Sequence, residues 1–104
     1  RGPKYESLEE PFSKDYHVRF YDLDMNGHVN NSKYLDWVFE VMGADFLTNH
    51  IPKKINLKYV KEVRPGGMIT SSYELNQLES NHQVTSDGDI NAQAKITWQK
   101  INKD

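Results

Sequence analysis

The sequence predicts an α+β domain in which an antiparallel sheet of about five strands wraps around one long central helix. Three observations carry this. A single stretch, from Val29 to about His50, repeats its apolar residues at helical spacing, and the residues on either side of it alternate at strand spacing. Turn signals at Arg64-Pro65-Gly66-Gly67 and Asp87-Gly88 cut the remainder into short strand-like runs. Ala92 and Ala94, in the middle of the last run's apolar face, leave room for something bulky, and a helix gripped by a curved sheet fills that room.

Taken in order, residues 1–14 hold Gly2, Pro3, Pro11 and a Glu9-Glu10 pair without periodicity, and are expected to be a linker or tail ahead of a domain over 15–104. Tyr16, Val18 and Phe20 alternate with His17, Arg19 and Tyr21, which predicts the first strand. Asp22 to His28 is polar and contains Asn26-Gly27, so the chain turns there. Tyr34, Leu35, Val38, Val41, Met42 and Phe46 then form one apolar stripe. Trp37 and Phe39 widen it, so the helix is enclosed on more than one side. Asn30 or Asn31 caps its start, and Asn49-His50 and Pro52 end it after about five turns. Ile55, Leu57, Tyr59 and Val63 mark the next strand. Met68 to Leu78 follows, with Ile69, Tyr73 and Leu75 on one face. His82 to Ser86 makes a short strand that turns at Asp87-Gly88, and Ile90, Ala92, Ala94, Ile96 and Trp98 alternate to the end.

Composition narrows the function classes. The chain has 104 residues, enough for one core, with 13 basic and 15 acidic side chains and a net charge of −2. That balance gives no electrostatic case for a nucleic-acid partner. No apolar run approaches the ~20 residues of a membrane span. With no cysteine, disulfides, thiolate metal sites and a cysteine nucleophile are excluded. The chain begins at Arg1 without a visible signal segment, and is expected to be part of something longer.

The densest polar chemistry is Asp22-Leu23-Asp24-Met25-Asn26-Gly27-His28-Val29-Asn30-Asn31. Carboxylate, amide and imidazole stand at alternate positions, Asp24, Asn26 and His28, and alternate side chains of an extended loop project to one side. They precede a helix N-terminus, whose free N–H groups favour negative charge and so suit an acyl oxyanion at Val29, Asn30 and Asn31. Two other readings compete. Asx-rich loops often only satisfy their own backbone. Asp22, Asp24, Asn26 and Gly27 also match positions of a calcium-binding EF-hand loop, but Lys33 stands where that loop needs a bidentate Glu, and a strand precedes it where a helix belongs. No metal is therefore expected.

The longer string Asp24-Met25-Asn26-Gly27-His28-Val29-Asn30-Asn31-Ser32-Lys33-Tyr34-Leu35-Asp36-Trp37 strongly resembles the signature of the acyl-acyl-carrier-protein thioesterases of the hotdog superfamily. The resemblance spans about residues 15–101 and corresponds to the second of that family's two tandem hotdog halves. It implies a hotdog fold, no cofactor, and hydrolysis of fatty acyl-carrier-protein thioesters to free fatty acid, which ends chain elongation. It also implies catalytic roles for Asp24, Asn26 and His28, and for Glu62 at the end of the strand after the helix. Plant members carry a cysteine directly after that acid. Here the position is Val63, which favours water activated by the acid–base network. A lone Glu among Lys58, Lys61 and Arg64 is otherwise a common solvated charge, and strand alternation sets Glu62 away from the Ile55–Leu57–Tyr59 face unless a bulge or strand end re-aims it.

The resemblance implies an acidic acyl carrier protein as partner, which Lys53, Lys54, Lys58, Lys61 and Arg64 would meet by charge complementarity. It further implies the N-terminal hotdog half of the same enzyme, or else self-pairing of this half as a homodimer. The expected compartment is the cytoplasm for a bacterial protein and the plastid for a plant one. Two alternatives remain open at this point: a single-hotdog acyl-CoA thioesterase acting as a homo-oligomer, and a non-catalytic acyl-binding half-domain.

Overall fold

The computed structural model describes Tyr5 and residues 7–102. Residues 1–4 and 6 of the expected linker thus lie outside the described residues. The elements run β1 (Phe12–His17), a 3-10 turn (Phe20–Asp22), α1 (Asn31–Glu40), α2 (Ala44–Asn49), β2 (His50–Tyr59), β3 (Met68–Asn76), β4 (Glu79–Ser86) and β5 (Asp89–Lys100). The five strands form one antiparallel sheet in the order β1-β3-β4-β5-β2. The helices cover one face of it, and this is the hotdog architecture.

Register explains which residues meet the helix. Ile69 and Ser71 of β3, Ser80, His82 and Val84 of β4, and Ala92, Ala94, Ile96 and Trp98 of β5 share the covered face and are all buried. Tyr34, Trp37, Val38, Val41 and Met42 pack onto them from the helical side. The expectation that small residues let the helix approach holds, although serines share the task with the alanines. Ser71 donates its hydroxyl to the Trp37 carbonyl at 2.8 Å and so pins α1 to β3. Trp98 closes the far end, edge-on to Phe39 of α1 and Phe46 of α2.

Several element boundaries differ from the sequence reading. β1 begins at Phe12, so the last residues of the expected linker pair with β3, from Phe12↔Tyr73 to His17↔Met68. As an almost wholly exposed edge strand it carries little alternation to read. Phe20 and Tyr21, expected to continue it, lie in the 3-10 turn and are 78% and 92% exposed.

The expected five-turn helix is two helices. Gly43 interrupts it at φ +86°, ψ 157°, a backbone region that side-chain-bearing residues avoid. The apolar stripe continues across the break because Val41 and Met42 are buried beside it.

The strand after the helix begins at His50 and contains Pro52. Proline is tolerated there because β2 is an edge strand and its register with β5 shifts between Pro52 and Lys54. β4 likewise starts earlier than expected, at Glu79, whereas the Asp87-Gly88 hairpin forms as anticipated with both φ angles positive.

Candidate active site

The site is a cleft of about 550 Å³ between the loop that enters α1 and the loop that leaves β2. Asp24, His28 and Val29 to Asn31 form one wall, Tyr59 to Glu62 the other, and Tyr34 lies at its base.

Asp24 organises the first wall through its own backbone. Its Oδ1 accepts the N–H of Asn26 at 2.9 Å and of His28 at 3.1 Å, while its N–H donates to the His28 carbonyl at 2.7 Å. Gly27, at φ +78°, lets the chain turn this tightly. The expected convergence of three alternate side chains is therefore only partly realised. In a turn the period of two is lost, so Asp24 and His28 line the cleft while Asn26 stands at the exposed turn tip, outside the lining.

Asp22 sits one layer deeper and anchors the loop. It is buried, accepts the Arg19 N–H at 2.7 Å, and pairs with Arg19 and Lys33 at 3.4 and 3.3 Å. Its carbonyl accepts the Asn30 N–H at 2.8 Å. Burial alone would raise the Asp22 pKa, but the Arg19 and Lys33 donors outweigh it and hold the carboxyl below its ordinary value. Lys33, the residue at odds with a calcium loop, thus supplies the cation that Asp22 faces.

Asn30 caps α1, its Oδ1 accepting from Ser32 N at 3.1 Å and Ser32 Oγ at 3.0 Å. Because its backbone N–H is committed to Asp22, the three residues suggested as oxyanion donors are not equivalent. The Asn31 amide opens the helix, where no intrahelical acceptor exists.

Across the cleft, Glu62 has left the strand. β2 ends at Tyr59, and the following loop turns the carboxylate toward the imidazole, with Glu62 Oε2 3.6 Å from His28 Nδ1. Both side chains remain accessible, at 56% and 62% exposure. The strand end re-aims an acid that alternation alone would have pointed away. The adjacent Val63 side chain is buried in the core rather than facing the cleft.

Two tyrosines complete the walls. Tyr34, expected only as part of the core stripe, is buried, but its hydroxyl accepts the Val63 N–H at 3.0 Å. Burial raises its pKa; the Val63 bond opposes this, and Glu62 and Tyr59 reinforce it. Tyr59 donates its hydroxyl to the Asn31 carbonyl at 3.3 Å and stacks edge-on against Tyr34. No spacing in the sequence pairs residues 28 or 29 apart, so these cross-wall bonds were not legible there.

The basic residues expected to form one surface do not act alike. Lys53, Lys54, Lys58 and Arg64 are exposed. Lys54 and Lys58, opposite Thr97 and Gln93, fall on the face of the sheet away from the helices. Lys61 instead pairs with Asp89 at 2.7 Å.

Residues 5–100 match the family described as the acyl-ACP thioesterase C-terminal domain. The chain belongs to that family. A member named oleoyl-acyl carrier protein thioesterase 2, chloroplastic, from Arabidopsis thaliana is 37% identical over 65 residues, covering 62% of this chain and 17% of that protein. The solved 12:0-ACP thioesterase from Umbellularia californica superposes with a TM-score of 0.85 at 25% identity, over 95% of this chain and 40% of the other. A Thermus thermophilus thioesterase solved with coenzyme A and zinc shares the fold, at TM-score 0.74 and 21% identity over 86% of this chain and 83% of its own. This chain spans less than half the length of the acyl-ACP thioesterases it matches. Among the described residues, no helix is long and apolar enough to cross a membrane.

Proposed function

We propose that this chain carries the acid–base centre of an acyl-acyl-carrier-protein thioesterase, and that the reaction is direct hydrolysis of a fatty acyl thioester by water. The observation that carries this is the approach of Glu62 to His28 across an open cleft at the start of a helix. The pair takes a proton from a water between the walls as its oxygen adds to the thioester carbonyl. The developing oxyanion accepts from the helix-initiating amides around Asn31. Collapse expels the carrier thiolate, which is reprotonated from the imidazolium, and releases free fatty acid.

In this scheme Asp24 holds the loop through the Asn26 and His28 amides. Those two bonds also argue against Asp24 as a nucleophile, because a carboxylate oxygen already accepting two N–H groups is a weaker attacker. Asn26, at the exposed turn tip outside the lining, is left to meet a substrate only as it enters. A single turnover in ¹⁸O-water is expected to label the fatty acid and not Asp24; label in Asp24 would instead establish a mixed anhydride.

The proposed partners are an acyl carrier protein, met by Lys53, Lys54, Lys58 and Arg64, and a second hotdog half, which the short span against its relatives supports. Homodimers of this half are the other arrangement to test. A bacterial protein of this kind would act in the cytoplasm, and the plant relatives are chloroplastic.

Hydrolysis of acyl-carrier and acyl-CoA thioesters by the chain, alone and combined with an N-terminal half, tests the reading. Preference for the carrier substrate, with losses of about 10²–10⁴-fold in His28→Ala and Glu62→Ala, is expected. Strong acyl-CoA turnover by the chain alone would favour a single-hotdog enzyme. A folded but inactive protein in every combination would leave a binding half-domain.

A further inference from the structure

Glu62 sits on a loop that the sheet's own ladder does not hold, because the pairing of β2 with β5 stops at Tyr59↔Ala92. At that point β5 is bulged: Val84 faces Ala92 and Thr85 faces Ile90, so Asn91 has no cross-strand partner on β4. Asn91 is 2% exposed. Its carbonyl accepts the N–H groups of Val60 at 2.8 Å and Lys61 at 3.1 Å. Its Nδ2 donates to the carbonyls of Lys61 at 3.1 Å and Glu62 at 3.4 Å. Ser86 Oγ donates to its Oδ1 at 2.7 Å, which fixes the amide's orientation.

We propose that Asn91 is a positioning residue for Glu62: the bulge frees its backbone and side chain to grip residues 60–62 and aim the carboxylate at His28. An asparagine suits this place because one buried group must both donate and accept. An acid half-held on a loop would not stay within the roughly 0.5 Å that a working constellation tolerates. The inference rests on the thioesterase reading of Glu62.

Asn91→Asp nearly preserves the shape, but it removes both donations and sets a carboxylate oxygen against two carbonyls. In the complete thioesterase chain it is expected to lower kcat by about 10–100-fold, with KM within about threefold. Ser86→Ala, which only frees the amide's orientation, is expected to cost about threefold in kcat. Neither loss should add to that of Glu62→Gln in a double variant, since a residue acting through Glu62 has nothing left to position. Losses that multiply in the double variant, or an unchanged kcat in both single variants, would overturn the proposal. If Asn91→Asp does not fold, the Ser86→Ala and Glu62→Gln pair decides by the same comparison. Full activity in Glu62→Gln would overturn the thioesterase reading of Glu62 itself, whereas a costly Glu62→Gln beside a harmless Asn91→Asp would overturn only the role of Asn91.

Discussion

The Tyr34 hydroxyl accepts the Val63 N–H at 3.0 Å and thereby ties the first turn of α1 to the residue that follows Glu62. One aromatic side chain thus serves the core with its ring and the cleft-lining loop with its oxygen. Tyr34→Phe keeps the ring but strands a buried backbone donor, at a cost of about 1–3 kcal/mol. Urea unfolding should report that loss. Thioester hydrolysis should fall in the same variant, because the second wall of the cleft loosens. An unchanged unfolding midpoint would show that the bond contributes nothing net.

His82 gives the fold an acid sensitivity. It is buried, its Nε2 lies 2.7 Å from Ser80 Oγ, and burial lowers its pKa from 6.5 to about 3. The folded state therefore keeps it neutral while the unfolded chain protonates it near 6.5. The associated stability is fully present above pH 6.5 and declines as pH falls toward 3, by about 1.4 kcal/mol per unit. His82→Leu should flatten this part of the profile relative to the wild type. Melting temperatures at pH 7.5 and 5 for both proteins measure it, and parallel profiles would refute the assignment.

Asp22 works in the same titration sense as His82 but over a lower pH range. Its pKa lies below the ordinary 3.8, so its stabilisation is present above that value and is lost as pH falls through its folded-state pKa. Asp22→Asn removes the nearer of two carboxylates that face Lys33, whose side chain is only 19% exposed. A loss of about 1–3 kcal/mol at neutral pH is expected by denaturant titration. That difference should shrink when the comparison is repeated near pH 3.

Gly43 separates α1 from α2 in a conformation that only glycine adopts readily. A Cβ there would meet no atom within 4 Å, so substitution tests the backbone alone. Gly43→Ala is expected to destabilise by about 1–3 kcal/mol. A neutral or stabilising result would mean that the two helices readily join into one.

Fold class and helix cap were legible in the residues themselves. Helical spacing of Tyr34, Val38, Val41 and Met42 and the alternation through Ala92 to Trp98 follow from burial of one face, which every sequence must encode locally. The motif from Asp24 to Trp37 is likewise local. The break at Gly43 was hidden because the apolar stripe continues through it. β1 was placed too late because an exposed edge strand leaves almost no hydrophobic signal.

By itself, therefore, the sequence determined the layers of the domain and offered Asp24, His28 and Glu62 as candidate reactive groups, which line one cleft. Only the tertiary structure decided how they meet. Asn26 turns out of the cleft because the loop folds as a tight turn, and Asn30 loses its amide to Asp22. Glu62 turns in because β2 ends early and Asn91, from a bulge on the neighbouring strand, holds the loop beyond it. Periodicity records which residues face the core. The aim of a side chain beyond the end of a strand is set by bonds between residues about 30 apart, and no local pattern records those.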